Sequence, residues 1–574
     1  MMYTREKNTQ ILIALLKAYG VKYIIASPGN TNTAFIGSIQ NDSYFTIYSA
    51  VDERSAAYMA CGLAAETGEP VVISCTGATA SRNYMPGLTE AFYRKLPIIA
   101  ITSTQPISRN GHLSAQFIDR SVIPNDVATI SVTLPIVKDS DDFWDCEIKV
   151  NKALSSLSLN GGGPVHINLP TNFCTPFDVN RLPVVRHIKR IEHNGFFPPL
   201  NGKVAVFIGA HKQWTKSETE ILDSFCESND AVVFCDHTSG YRGRFRLLYS
   251  LASGQEMHQF LLSRPNILIH IGEVTGDYFN LAISSTTEVW RVNLDGEMRD
   301  TFGKLSNVFK MTEIEFFKKY TKETKKVKLK YFPMCSLHLK SLNNNLPNIP
   351  FSNIWIASKL SKIIPDNSVI HFGILNSLRS WNFFELPKSV RSDCNVGGFG
   401  IDGSLSSLIG ASLANSDRLY YMVLGDLSFF YDINSIGNRH LGNNIRVLIV
   451  NNGKGTEFRQ YNHHAAYFGE DADKYIAAAG HFGNKSETLV KGYSESLGFE
   501  YISATNKQEF EKTYQKFISP KIGNKPLVFE VFTDSIDESN ALKMMLNIEK
   551  NPKIRAKRKL KSILKNLSII NRKK

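Results

Sequence analysis

The chain has 574 residues, of which 43% are hydrophobic and 21% charged, with a formal net charge of +13. This is ordinary globular composition, which excludes a wholly disordered, collagenous or disulfide-scaffold protein, and the length leads us to expect about three or four domains. Eleven Lys or Arg and no Asp or Glu fall in residues 550–574, so residues 1–549 carry only +2 and the excess charge belongs to a tail.

Taken in chain order, residues 1–10 are polar, and the apolar run 11–16 is too short for a signal-peptide core. Residues 10–19 predict an amphipathic helix, 21–27 a buried strand closed by Pro28-Gly29, and 56–65 a helix of small residues. Strand 71–75, helix 84–92 and strands 98–102 and 164–170 follow. Such alternation argues for a parallel sheet covered on both faces. The Pro-rich stretch 181–200 reads as an irregular linker. The alternation restarts at VAVFIGA (204–210), AVVFCD (231–236), NILIHIG (266–272) and EVWRVNL (288–294), and ends in a Lys-rich second linker, 318–330. A third series begins near Ile354, with strands 368–372, 419–424, 446–450 and 526–532. In the tail, Leu560, Ile563, Leu564 and Leu567 form one apolar stripe among cations. A helix that binds a membrane surface or a partner fits this stripe, and so does a helix docked on its own protein or a solvated end. Nucleic acid is not an expected ligand, since no recognition motif accompanies the charge. No apolar run reaches the ~18 residues of a bilayer span. Eight scattered cysteines without a CxxC pair suit reduced thiols in the cytoplasm.

The most informative stretch is 424–458, LGDLSFFYDINSIGNRHLGNNIRVLIVNNGKGTEF. Gly425-Asp426 follows one hydrophobic strand and Asn451-Asn452 the next. In an open α/β sheet ligands sit beyond the carboxyl ends of strands, so Asp426 and Asn452 should lie together. A carboxylate oxygen, an amide oxygen and a loop carbonyl are hard ligands, suited to octahedral Mg²⁺ completed by phosphate oxygens and water. Gly425 allows close backbone approach, and Ser428 opens a helix toward the phosphates. The plain alternative is a βαβ unit with polar strand ends. A phosphate-linked transferase would be expected to carry a Walker-type GxxxxGK[ST], which is absent from the sequence.

This pattern of GD, some twenty-five residues and NN resembles the thiamine-diphosphate (ThDP) motif. ASPGN (26–30), DERSA (52–56), CTGATA (75–80), GPVHINLP (163–170), GIDGSLSS (400–407) and GDLSFFYD (425–432) follow in one order. Together they resemble the 2-succinyl-5-enolpyruvyl-6-hydroxy-3-cyclohexene-1-carboxylate synthase family, ThDP enzymes of menaquinone synthesis. The likeness covers both outer segments well and the middle one poorly. It implies three doubly wound α/β parallel-sheet domains: an aminopyrimidine-binding domain over 1–182, a central structural domain over 183–335, a diphosphate-binding domain over 336–548, and then the basic tail 549–574. It further implies that Asp426 and Asn452 hold Mg²⁺ (or Mn²⁺) with the Lys454 carbonyl, and that Pro28, Gly29, Gly77, Ile401, Gly425, Asp426, Leu427, Ser428 and Asn452 bind the cofactor. Ile401 stands where a bulky residue props the cofactor in its bent form, and Glu53 stands opposite the aminopyrimidine to activate it. Arg109 and Gln116 fall near positions that touch the 2-keto acid. An obligate homodimer, or a dimer of dimers, is implied, because the two binding segments meet across a subunit interface.

The sequence departs from the family where the family holds anions. Thr31 and Val396 stand at positions where it has Arg, whose fork grips carboxylates. The expectation is therefore a decarboxylase or carboligase acting on a 2-keto acid and an electrophilic acceptor less charged than isochorismate, such as a keto-sugar. The authentic synthase reaction of 2-oxoglutarate with isochorismate, simple decarboxylation and a non-catalytic subunit are the alternatives. A non-catalytic chain would be expected to lose Glu53 or the metal ligands, and this one keeps them. Further candidates for substrate contact are Asn30, His112, Arg379, His463 and His464.

Overall fold

The computed structural model describes residues 2–120, 122–173, 175–257, 264–277, 288–321 and 328–549. The basic tail from 550 onward, with its apolar stripe, lies outside the described residues. The chain divides into two compact units, 1–195 with 296–310, and 196–295 with 311–574. Strands are numbered in chain order.

In the first unit β1 (Tyr23–Ala26), β2 (Thr46–Ser49), β3 (Val71–Cys75), β4 (Ile98–Thr104), β5 (Ile130–Thr133) and β6 (Val165–Pro170) form a sheet in the order β2-β1-β3-β4-β6-β5. Every neighbouring pair is parallel. β3, β4 and β6 are buried at every position, as strands with helices on both faces must be. Their side chains alternate between two cores: Val72 joins the cluster of Leu12, Leu16, Val150 and Leu154, while Ile73 joins that of Ala57, Ala60 and Leu88. The helix Glu53–Thr67 is capped by Asp52, whose Oδ2 accepts from Ser55 N at 3.1 Å, and it stops at Gly68 with φ +70°. Its small residues permit close packing, since a Cβ on Gly87 of the helix Met85–Tyr93 would lie 2.5 Å from Ala57 Cβ. The stretch 181–200 is not wholly irregular: it contains β7 (Lys189–Ile191), paired parallel with β13 (Leu305–Lys310). Three residues with one apolar side chain carry no strand pattern of their own, and Val308 and Phe309 opposite supply the apolar partners.

The second unit holds five parallel strands in the order β10-β9-β8-β11-β12, namely β8 (Val204–Ile208), β9 (Val232–Cys235), β10 (Arg246–Leu248), β11 (Ile267–Ile271) and β12 (Glu288–Asn293). It also holds a third sheet of β14 (Val369–Phe372), β15 (Arg391–Cys394), β16 (Tyr420–Gly425), β17 (Ile445–Asn451), β18 (Glu500–Ala504) and β19 (Leu527–Phe532), in the order β15-β14-β16-β17-β19-β18 and parallel throughout. Counted from its own first strand, the third sheet repeats the order of the first. The expected Lys-rich linker is shorter than 318–330. Lys318 and Lys319 close the helix Glu313–Tyr320, where cations favour the helix dipole, and residues 322–327 lie outside the described residues. The α/β class with three parallel sheets agrees with the sequence reading. The seven described cysteines are free and buried, and among the described residues no helix is long and apolar enough to cross a membrane.

Candidate functional site

In a sheet ordered 2-1-3, the connections leave the first and third strands in opposite senses, and the crevice beyond their carboxyl ends takes ligands. In the third sheet that crevice lies between β14 and β16. Gly425 ends β16 in register with Val450 of β17, so Asp426 arrives beside the Asn451-Asn452 turn. Gly453 N donates to Asp426 Oδ2 at 3.0 Å. The two asparagines divide their roles. Asn451 is buried and donates from Nδ2 to Glu530 Oε1 at 2.6 Å, whereas Asn452 stays half-buried. Lys454 turns its ammonium to Asp473 at 2.6 Å, and its carbonyl accepts from Thr456 N at 2.9 Å with one lone pair left. The helix runs Asp426–Tyr431, so Ser428 is its third residue and does not open it. Its hydroxyl instead donates to Ile401 O at 2.6 Å, which ties the GIDG loop to the metal loop. Leu427 and Ile401 are half-buried, and a Cβ on Gly425 would meet nothing within 4 Å.

Asp426 is 4% exposed, and burial pushes its carboxyl up to about 7 against the pull of the Leu427 and Gly453 N–H groups. Among the described residues it has no cationic partner, and no cluster of three or more His, Cys, Asp or Glu forms a metal site by itself. A buried carboxylate met only by backbone N–H groups, beside an amide oxygen and a free carbonyl lone pair, fits a divalent cation whose remaining ligands come from phosphate and water.

The first sheet has the equivalent crevice between β1 and β3. There the 27–32 loop is pressed onto the 76–77 turn, since a Cβ on Gly29 would lie 2.3 Å from Thr76 Cβ. Thr31 is the hub of this contact. Its hydroxyl lies 2.6 Å from Thr76 Oγ1, donates to Ser103 O at 3.0 Å and accepts from Gly77 N at 3.2 Å. Gly77 is buried, and a Cβ there would meet Gln116 O at 3.2 Å. Pro28, Gly29 and Asn30 face outward at the mouth. Glu53 starts its helix half-buried, and its Oε2 accepts from Asn83 Nδ2 at 3.2 Å. Arg109, His112 and Gln116 share one loop and are all exposed.

The remaining substrate candidates converge in the second unit. A cavity of about 480 Å³ is lined by Arg379, His463 and His464, together with Asn376, Glu457, Gln460 and Glu538. The helix Asn376–Trp381 brings Arg379 from the end of β14, and the turn Thr456–Arg459 brings Glu457 directly from the metal loop. The Arg379 guanidinium is hydrogen-bonded to the Glu457 carboxylate. His463 Nδ1 accepts from Ala465 N at 3.1 Å and its ring stacks on His464 at 4.3 Å. Glu538 is buried, accepts from Asn353 N and Thr533 Oγ1 at 2.9 and 2.8 Å, and is pushed up to about 7 by burial. Val396 is buried, and its Cγ1 would lie 3.1 Å from a Cβ on Gly276, so it serves packing. Sequence reasoning missed Asn83, Asn376, Glu457 and Glu538. Only Glu457 carried a signal, its place three residues after Lys454.

Comparison with known proteins gives two kinds of match. Residues 7–123 match the family model described as thiamine pyrophosphate enzyme, N-terminal TPP binding domain. Over nearly the whole chain the sequence is similar to proteins named 2-succinyl-5-enolpyruvyl-6-hydroxy-3-cyclohexene-1-carboxylate synthase. The relative from Phocaeicola vulgatus is 30% identical over 94% of this chain and 98% of its own length. Those from Bacteroides fragilis and Flavobacterium johnsoniae are 29% and 27% identical, covering 94% and 95% of this chain and 99% of each relative.

Proposed function

The chain belongs to the thiamine-diphosphate-dependent 2-succinyl-5-enolpyruvyl-6-hydroxy-3-cyclohexene-1-carboxylate synthase family, and from that premise we propose that it decarboxylates a 2-keto acid and joins the remaining acyl carbon to an electrophilic acceptor. The observation that carries this reading is the buried Asp426 carboxylate held against the Asn452–Lys454 turn at a sheet switch point. Asp426, Asn452 and the Lys454 carbonyl would hold Mg²⁺ (or Mn²⁺). Gly425 would leave room for the diphosphate, and Ser428, bonded to Ile401 O, would steady Ile401 as the residue that props the cofactor. When bound, thiamine diphosphate supplies a carbon nucleophile and an electron sink for decarboxylation. Glu53, whose Oε2 accepts from Asn83 Nδ2, would face the aminopyrimidine ring and share a proton with it. Arg109 and Gln116, both exposed on the loop whose Gln116 carbonyl lies against Gly77, would receive the keto acid. We take the working assembly to be a homodimer or dimer of dimers, in which Glu53 of one copy serves the metal loop of another.

The acceptor is less charged than isochorismate. Thr31 and Val396 stand where the family has Arg, and both are buried and fully committed to their neighbours, the one by hydrogen bonds and the other by packing. Losing two guanidiniums from a dianion site removes charge-assisted bonds of about 1.5–3 kcal/mol each. A second reading, the authentic synthase reaction, is favoured by the names of the relatives. Measuring CO₂ release and product formation separates the two. Holoenzyme should turn over a 2-keto acid and couple it to uncharged carbonyl acceptors. Efficient turnover of 2-oxoglutarate with isochorismate would establish the second reading instead, and no turnover of any 2-keto acid would reject both.

A further inference from the structure

Arg379 sits at the cavity wall with two of its three guanidinium nitrogens engaged. It donates to Glu457 Oε1, and its Nε donates to Gly276 O at 3.3 Å. The other carboxylate oxygen is occupied as well. With its amide oriented to satisfy both groups, Asn376 donates to Glu457 Oε2 at 2.8 Å and accepts from Glu457 N at 3.0 Å. The pair is largely buried, with 10% and 17% of the two side chains exposed. A carboxylate arriving in the cavity would meet a guanidinium whose charge Glu457 already balances, and taking Nη1 from Glu457 would strand a charge in a buried place. Among the described lining residues there is no second Arg or Lys, and Glu538, whose Oε1 accepts from Asn353 N and Thr533 Oγ1, adds no positive charge. One acceptor atom in the wall is unmet: Gln460 Oε1 is buried, with no donor among the described atoms. Ser380, Asn462, His463 and His464 add groups that donate or accept. Hydroxyls do both, so they match such a wall, whereas carboxylates only accept.

We propose that Glu457 sets the acceptor specificity of this cavity, neutralising Arg379 so that the wall takes an uncharged, hydroxylated carbonyl compound and refuses a carboxylate. This rests on the reading of the chain as a ThDP-dependent carboligase and gives that reading a specificity-determining residue. The pair works by negative selection: an anion loses more by breaking Arg379–Glu457 than it gains by replacing it.

The test uses full-length protein loaded with thiamine diphosphate and Mg²⁺, titrated with succinate and with a panel of neutral four- to six-carbon hydroxyaldehydes and hydroxyketones. Wild type should bind members of the neutral panel and leave succinate unbound at the same concentration. Glu457→Gln keeps the shape and frees the guanidinium, and should raise succinate affinity by roughly tenfold or more. The double variant Arg379→Met/Glu457→Gln should lose that gain. Succinate bound equally by wild type and Glu457→Gln would overturn the proposal, as would a gain that survives in the double variant or a wild type that binds none of the neutral panel. If Glu457→Gln fails to fold, the wild-type preference alone still decides. Cofactor titration on the same samples keeps the two readings apart: absent thiamine diphosphate binding fails the functional reading, whereas intact binding with wild-type succinate uptake fails this inference alone.

Discussion

The first and third sheets share one strand order, and each puts its loops at the same switch point, yet they treat charge in opposite ways. Beyond β16 a carboxylate is sunk to 4% exposure and met only by backbone N–H groups. Beyond β1 and β3 the acid is Glu53, half-buried at a helix start and hydrogen-bonded to an amide. The buried acid is costly without a cation and so is suited to hold one. Glu53 instead keeps part of its side chain within reach of solvent. The glycines follow the same division: Gly29 is locked by Thr76, while Gly425 faces open space.

The sharpest way to break this comparison is Asp426→Ala. Calorimetry with thiamine diphosphate and Mg²⁺ should show affinity falling beyond about 100-fold, more than the loss of an outer-shell partner. Mixing Glu53→Gln and Asp426→Ala proteins, each inactive alone, should restore turnover through mixed assemblies. A site built within one copy would stay dead. Titration should separate the two units as well. Burial holds the His166 ring, which lies 2.7 Å from both Thr102 Oγ1 and Ser131 Oγ, down at about 3. The unfolded chain therefore binds the extra proton, and His166 contributes stability above pH ~6.5 that is lost as pH falls toward 3. Glu538 is the reverse: its folded value is raised to about 7, so its contribution is complete below pH ~4.5 and is lost as pH rises through 7. Hydrogen exchange should show the first unit loosening in acid. The second unit should loosen toward pH 8, and Glu538→Gln should remove that loss of roughly 3 kcal/mol or less. The smallest effect is steric. Gly29→Ala should cost about 1–3 kcal/mol by overpacking against Thr76, whereas Gly425→Ala should melt like wild type and weaken only cofactor binding.

Interior strands were legible because β3, β4, β16, β17 and β19 are mostly apolar, and the strand ends then placed Asp426 beside Asn452. Edge strands were not. β2 is mostly exposed, and β15 alternates Arg391 and Asp393 with buried Ser392 and Cys394, so neither forms an apolar run. β5 and β18 went unread for the same reason. The Arg379–Glu457–Asn376 network joins residues about eighty positions apart through two strand ends, and no local pattern announces it. The inward turn of Asn451, which leaves Asn452 for the ligand, also depends on a partner far along the chain, Glu530.

The central claim is that two acids share one cofactor, Asp426 anchoring it and Glu53 activating it. Exchange of the C2 hydrogen of enzyme-bound thiamine diphosphate for deuterium, followed by acid quench and NMR, tests this most directly. Glu53→Gln should bind the cofactor as wild type does and slow the exchange by about 10²–10⁴-fold. Exchange at the wild-type rate in Glu53→Gln, with the cofactor bound, would contradict the account.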